Sequence, residues 1–491
     1  MSEDKGVGLK AWLSGPRSKT AKAKDHGEKP VVMDKHRLAV LPLANISPDP
    51  RDEYFADGLT EELITRLSEV SGLKVIARTS IMNYKRKEKS AREIGRELGV
   101  SSIIEGSVRK AGNKMRITIQ LIDPATEEHR WASHYDRDLD DIFAIQTEIA
   151  DKVAKALALR EFTGRPEEHT PDVLAYTLFM RANRLLHEQW TMSSQREALS
   201  LFTQAIERDP GFARAYAGIA RTWFQLGTFG YENFSMITEK GKPAAMKSIE
   251  LAPYEAEAHH AMAMIYLAAD KFELVRSEAQ KALQFNPNLA EAHAIMGAVQ
   301  MNLDGPETAI KSFETSLELD PFSIGTLSDL MVAYQALGRT AQALDALQKT
   351  AKLHPTSPLL HVQFAKYYTW NQDYRKAQEH LDMASALGSD QPDTKMFHAH
   401  AQGVLYAMRE KRREALELID YLRGLDNESA RLQWTFPILA ALGDFDEAFK
   451  CLMRMADLGS WWIGVKYLAY YAPLRKDPRY KEFCKKVGIK P

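Results

Sequence analysis

The spacing of apolar and polar residues changes character several times between residues 37 and 160. Arg37-Leu-Ala-Val-Leu-Pro-Leu43 is a continuous apolar run, which predicts a buried strand. Residues 45–52 read as a polar, proline-containing loop. From Asp52 apolar residues recur at helical spacing (Phe55, Leu59, Leu63, Ile64, Leu67, Val70), and Ser71-Gly72 closes that helix. Residues 74–78 predict a second short strand. Ser90, with Glu93 three residues on, has the pattern of a capping box and opens a helix through Ile94 and Leu98 that stops at Gly99. Residues 102–110, 114–122 and 129–135 are β-rich, with turns at Ala111-Gly112-Asn113 and over 123–126. Met115, Ile117, Ile119 and Leu121 alternate, so one face of that strand is buried. A long helix follows from Leu139 to about Leu159. The order β-α-β-α-β-β-β-α needs parallel neighbours at its helical crossovers and antiparallel ones at its hairpins. It therefore predicts an α/β domain with a mixed sheet, spanning 36–160.

Beyond residue 170 the pattern is helical only, and it repeats. Pro253, Pro287, Pro321 and Pro355 stand 34 residues apart, with Pro210 one longer step of 43 upstream. Proline lacks an N–H and pushes the preceding residue out of the α region, so each one separates two helices. Asp209, Asn286 and Asp320 precede three of these prolines; Ala252 and His354 precede the others. Ten residues past each proline stand Ala220, Ala263, Gly297, Met331 and Ala365. A second mostly small column holds Ala198, Val275, Ala309, Ala343 and Ala377. Thirteen residues past each proline the chain carries Trp223, Tyr266, Gln300, Tyr334 and Tyr368. Such columns predict pairs of closely packed helices. Their period resembles that of tetratricopeptide repeats, which implies an all-α solenoid, here of about seven or eight pairs over 170–459. The longer step places extra residues in an inter-helix loop around 228–240. Residues 460–491, with Trp461, Trp462, Tyr467, Tyr470 and Tyr471, read as a cap over the last hydrophobic face.

Composition narrows the picture without adding chemistry. The 491 residues carry a formal net charge of -1, which gives no general pull toward nucleic acid or anionic membrane. Two cysteines cannot build a disulfide framework or a four-ligand zinc site. Residues 1–35 are lysine-containing and poor in large apolar residues, so a disordered tail is expected. No apolar run long enough to span a membrane and no signal-peptide core occurs, and a cytoplasmic protein is expected.

Several blocks of the first domain carry a family likeness. Residues 38–43, Asp57-Gly-Leu-Thr-Glu-Glu-Leu-Ile, 75–80, 94–100, Glu105-Gly-Ser-Val-Arg109, 120–123 and 135–138 together resemble the TolB amino-terminal-domain-like family. The likeness covers about 37–155. In that family this domain is commonly followed by tetratricopeptide repeats, and preceded by a class III nucleotide cyclase, a winged-helix or a kinase domain. The 35-residue tail is too short for any of the three.

Reactive constellations are missing or have bland readings. No Walker-type phosphate loop, dinucleotide fingerprint or His-Glu-x-x-His is present. His259-His260 and His398/His400 are spaced so that neither pair shares a helix face. Asp49, Asp52, Glu53, Asp57, Glu61 and Glu62 gather near a helix start, where the dipole favours carboxylates. The basic run Lys85-Arg86-Lys87…Lys89, with Arg92, Arg96 and Tyr84, reads as a solvated loop and helix face. No catalytic residue, metal site or cofactor is expected.

The candidate functional surface is the concave side of the solenoid, lined by the first helix of each pair. The period projects onto it Arg214, Arg221, His260, Met264, Met301, Asn302, Gln335, Lys366 and Trp370. This surface is apolar in its middle and basic at both ends. Some tetratricopeptide domains grip a terminal carboxylate with Lys, Asn and Arg; here His260, Met264, Ala294 and Ala298 stand at the corresponding positions, so that clamp is absent. The expected function is a non-enzymatic, regulatory interaction scaffold holding a protein or peptide in this groove. Two alternatives stand beside it: a component of a nucleotide cyclase system whose catalytic domain is missing here, and a transcriptional regulator without its own winged helix.

Overall fold

The computed structural model describes residues 34–85, 89–157, 172–188, 191–228, 230–388, 392–425, 427–459 and 464–489. The expected tail up to Met33, Arg86, Lys87, Trp461 and Trp462 lie outside them.

The first domain is a mixed sheet in the order β3-β1-β4-β5-β6, with β2 beside β4. Strands β1 (Asp34–Val40), β2 (Ala44–Asn45) and β3 (Lys74–Val75) run parallel to their neighbours, and β4 (Val100–Ala111), β5 (Lys114–Ile122) and β6 (His129–Asp138) form an antiparallel meander. Pro42 interrupts the expected first strand, and Ala44–Asn45 resume pairing against Ser107 and Val108. The helices are α1 (Glu53–Ser68), α2 (Arg78–Met82), α3 (Ala91–Leu98) and α4 (Ile142–Ala156). The Ser90–Glu93 capping box forms at α3. The second strand, expected to reach Arg78, stops at Val75. Ile76 N still donates to Leu38 O, but Ala77 N donates to Leu319 O, 2.8 Å away in the helical array. The chain thus leaves the sheet for a different partner, and α2 forms there.

Eight helix pairs follow among the described residues. They are α5 (Val173–Glu188) with α6 (Met192–Arg208), α7 (Ala213–Thr228) with α8 (Lys242–Leu251), and α9 (Ala256–Ala268) with α10 (Phe272–Phe285). Next come α11 (Ala290–Leu303) with α12 (Pro306–Leu319), α13 (Ile324–Ala336) with α14 (Thr340–Leu353), and α15 (Pro358–Trp370) with α16 (Tyr374–Ala386). The last two are α17 (Pro392–Met408) with α18 (Arg412–Arg423), and α19 (Glu428–Ala441) with α20 (Phe445–Leu458). The small columns are buried throughout, Met331 and Val275 included. At Gly297 a Cβ would lie 2.5 Å from the Phe313 ring, so this crossing tolerates no side chain. Tyr334 Oη donates to Glu314 on α12, the second helix of the preceding pair, whereas Gln300, the exception in that column, accepts from Ser312 on the second helix of its own pair.

The extra segment before α8 is not a plain loop. It holds a short helical turn, Phe234–Met236, and a π-turn, Ile237–Gly241. Fully buried Ile237 explains this, because it packs on Gly227 where a Cβ would lie 2.3 Å away. After α20 come three short helices, α21 (Gly464–Tyr467), α22 (Ala472–Lys476) and α23 (Arg479–Val487). Tyr471, Leu474, Tyr480 and Phe483 are buried in one cluster with α13, α19 and α20. The far end of the array also returns to its beginning. Gly230 packs on Ala430, Gly459 on the Ala268 carbonyl, and Tyr467 Oη donates to Met301 O at 2.9 Å.

Candidate binding surface

The loops that carry the proline ladder form an edge, and the α/β domain is docked along it. Asn288 Nδ2, just after Pro287, donates to Ser68 O and Leu73 O. Asp320 accepts from Thr79 Oγ1 at 2.7 Å and Ser80 Oγ at 2.5 Å. Phe322 N donates back to Ser80 Oγ, and the Phe322 ring meets Tyr84 edge-on. One repeat later His354 Nε2 lies 3.1 Å from Asn83 Oδ1. Three successive steps of the ladder thus hold one stretch of the α/β domain, residues 68–84. Asp320 is buried, which pushes its carboxyl up, and the hydroxyls of Ser80 and Thr79 pull against that shift.

Helix α1 makes the second part of the interface. It is buried nearly all round, and Gly58 lets it approach α5 so closely that a Cβ would lie 2.3 Å from Met180 Sδ. Its carboxylates therefore do more than answer a helix dipole, the role expected of them at a helix start. Only Glu53 lies in the first turn. Asp57, 1% exposed, meets Lys85 at 2.5 Å and Arg184 of α5 at 3.5 Å. Glu61 takes Arg78 at 3.2 Å and accepts from Asn183 Nδ2 at 3.0 Å. Glu62 takes Arg214 at 2.6 Å. Desolvation is costly for each charge, and only such pairing keeps them inside. Burial raises the Glu61 carboxyl against the pull of Arg78.

Of the projected groove residues of the first pairs, Arg214 joins this interface directly, while Arg221 and His260 lie behind it. Arg214 also lies over the Phe179 ring and near Glu257. Arg221 donates to His187 Nε2 at 3.0 Å, and burial, with Arg221 and Arg78 nearby, holds that imidazole well below its ordinary value, so it is neutral. Burial, helped by Arg221, lowers His260 to about 3. The partner of Arg214 in the structure is thus the chain's own α/β domain, and that of Arg221 a neighbouring solenoid helix.

In the middle of the array, Met301 is buried under Tyr467 and Asn302 Nδ2 bonds back to Ala298 O on its own helix. Met264 packs in the small cluster between α9 and α11, and Gln335 is half-buried. Lys366 and Trp370 are brought together, in a pocket of about 180 Å³ whose wall includes Phe397, His400, Trp434 and Tyr470. His259 and His398 are engaged in packing bonds, to Pro253 O and Leu381 O respectively. Among the described residues no group of three or more His, Cys, Asp or Glu could hold a metal ion. Lys85 and Lys89 of the basic run pair with Asp57 and Glu97. No described helix is long and apolar enough to cross a membrane.

Comparison with known proteins adds to this geometry. A family model of the HilA/YgeH-like transcriptional regulator second domain matches residues 34–152, the α/β domain. The match does not itself show the TolB amino-terminal likeness of the sequence blocks. The putative adenylate cyclase 3 of Rhizobium meliloti (strain 1021) is 44% identical over 195 residues. The match takes in 39% of this chain and 33% of that protein, so the chain spans a third of its relative's length. Among solved structures, a thermophilic TPR protein of Thermus thermophilus is 21% identical, with a TM-score of 0.34, over 39% of this chain and 98% of that one. PilF of Pseudomonas aeruginosa is 20% identical, with a TM-score of 0.35, over 49% and 99%. The class is that of a mixed-sheet domain joined to a TPR-like helical array.

Proposed function

We propose that this chain is a non-enzymatic interaction scaffold of a cytoplasmic regulatory or signalling system. In this reading its working units are residues 36–160, 170–459 and the cap at 460–491. One observation carries it. In the solenoid's first half Arg214 is paired with Glu62 of the α/β domain and Arg221 with His187, which lies 4.0 Å from Glu61, whereas Lys366 and Trp370 in the second half line a pocket. A partner therefore engages the second half, and the docked domain sets the geometry of the first. A photo-crosslinking residue in place of Trp370 of the full chain is expected to give adducts with another protein in cells. The same residue at Arg221 is expected to give adducts within the chain only. Equal intermolecular adducts from both positions would count against this division.

A second reading is favoured by the relative named as a putative adenylate cyclase: the scaffold serves a nucleotide cyclase encoded separately. The purified chain with Mg²⁺ or Mn²⁺ and ATP or GTP should form no cyclic nucleotide, and adding a class III cyclase from the same cell should change that cyclase's rate. Formation by the chain alone would overturn the non-enzymatic reading. The match to a transcriptional regulator's second domain fits a regulatory setting too. Binding of duplex DNA that weakens steeply with salt would favour that version.

A further inference from the structure

The pocket at Lys366 has a composition unlike the rest of the concave side. Its cationic group is Lys366, beside Ser328, Thr369 and Gln433, and much of its wall is aromatic. Phe397 meets Trp434 edge-on at 4.8 Å, and His400 meets the same indole at 5.5 Å. The His400 Nδ1–H donates to Trp434 O, which leaves Nε2 as an acceptor. Burial, with Lys366 nearby, holds His400 at about 3, so it is neutral and does not compete for an anion's partner. Lys366 makes no hydrogen bond or close ion pair among the described residues. Its electrostatic counterpart is Asp329 of α13.

We propose that this pocket is a binding site for a small ring-bearing monocarboxylic acid, its carboxylate on Lys366 and its ring against Trp370, Phe397 and Trp434. Volume limits the ring. A cavity of about 150 Å³ accepts benzene, so about 180 Å³ holds one ring with a short acidic arm. Charge sets the acid. A desolvated ammonium flanked by aromatic walls gains most from an anion that brings its own apolar surface. The inference is independent of whether a protein also binds the array.

The charge balance gives the site a pH signature. Burial lowers Lys366 to about 8 against the pull of Asp329, and burial raises Asp329 to about 6 against the pull of Lys366. The other titratable groups facing the site are His400 of α17, neutral throughout, and Tyr470 and Tyr471, whose phenols burial pushes upward. An arriving carboxylate competes with Asp329 for Lys366. Binding should strengthen as pH falls from about 7.5 toward 6 and weaken above 8, where Lys366 loses its proton.

Trp370 and Trp434 supply the readout. Phenylacetate titrated into the full chain should change tryptophan fluorescence saturably at sub-millimolar concentration. Phenylacetamide, the same shape without the charge, should bind about tenfold more weakly or worse, the loss typical of a charge-assisted hydrogen bond. Lys366→Met should lose the same factor for phenylacetate and little for the amide. Lys366→Met leaves the buried Asp329 without its counter-charge, so the variant's folding is checked by circular dichroism before titration, and Lys366→Arg, which keeps the charge, should retain preference for the acid. Equal affinity for acid and amide, no saturable binding by either, or an unchanged Lys366→Met would each overturn the proposal.

Discussion

Ser80 Oγ of the α/β domain donates to Asp320 Oδ1 of the proline ladder at 2.5 Å, and the same hydroxyl accepts from Phe322 N. A residue that ends one repeat is thereby the anchor for a separate domain. Removing the carboxylate leaves Ser80 and Thr79 without their acceptor in a buried setting, a loss of about 1.5–3 kcal/mol for bonds to a charged group. Asp320→Ala should lower the denaturant midpoint accordingly, and limited proteolysis should begin near residues 68–84. An unchanged midpoint would show that the edge contact is incidental.

Gly58 gives a test by shape. Its α hydrogen faces Met180, and a methyl there would overlap the thioether. Gly58→Ala should destabilise the chain by about 1–3 kcal/mol, the usual range for overpacking. Met180→Ala should cost about 2–5 kcal/mol alone. Together they should cost clearly less than the sum, because the second change makes room for the first. Strict additivity in a double-mutant cycle would mean that the two residues do not touch.

The interface should also respond to pH. Burial, reinforced by Glu255, pushes Glu69 up to about 7. Glu255 is itself raised by burial. A carboxyl raised on folding binds its proton more tightly in the folded state, so its contribution is full below the unfolded value near 4.5 and is lost as pH rises through about 7. The urea midpoint should therefore fall between about pH 5 and 8 by more in the natural chain than in Glu69→Gln. Parallel curves for the two would assign the pH dependence elsewhere.

The repeat was legible because every pair solves the same local packing problem with small residues in fixed columns. Gln300 departs from an aromatic column and bonds differently too, to Ser312 of its own pair, where Tyr334 reaches back to Glu314 of the preceding one. The docking was not legible, and the reason lies in the residues that make it. Asp320 and Asn288 belong to a turn where acid or amide beside proline already has a local explanation. Glu61 and Glu62 alternate with Leu59 and Leu63 as they would on any amphipathic helix. Nothing local reveals that the polar side of α1 meets Arg78, Arg214 and α5 instead of water. The projected groove residues split for the same reason. Period alone placed Lys366 and Trp370, whereas Phe397, His400 and Trp434 come from pairs without the proline. Tyr470 was expected in a cap, and it both packs there and lines the pocket.

The docking of the α/β domain on the proline ladder is tested most directly by a zero-length crosslink. Lys74 Nζ and Glu318 Oε2 lie 3.9 Å apart across the interface, both about half exposed, and Lys110 and Asp52 lie 3.0 Å apart within the α/β domain as an internal control. Carbodiimide treatment of the monomeric chain, followed by peptide mass spectrometry, should yield both amide links. Formation of the Lys110–Asp52 link without Lys74–Glu318 would contradict the docked arrangement.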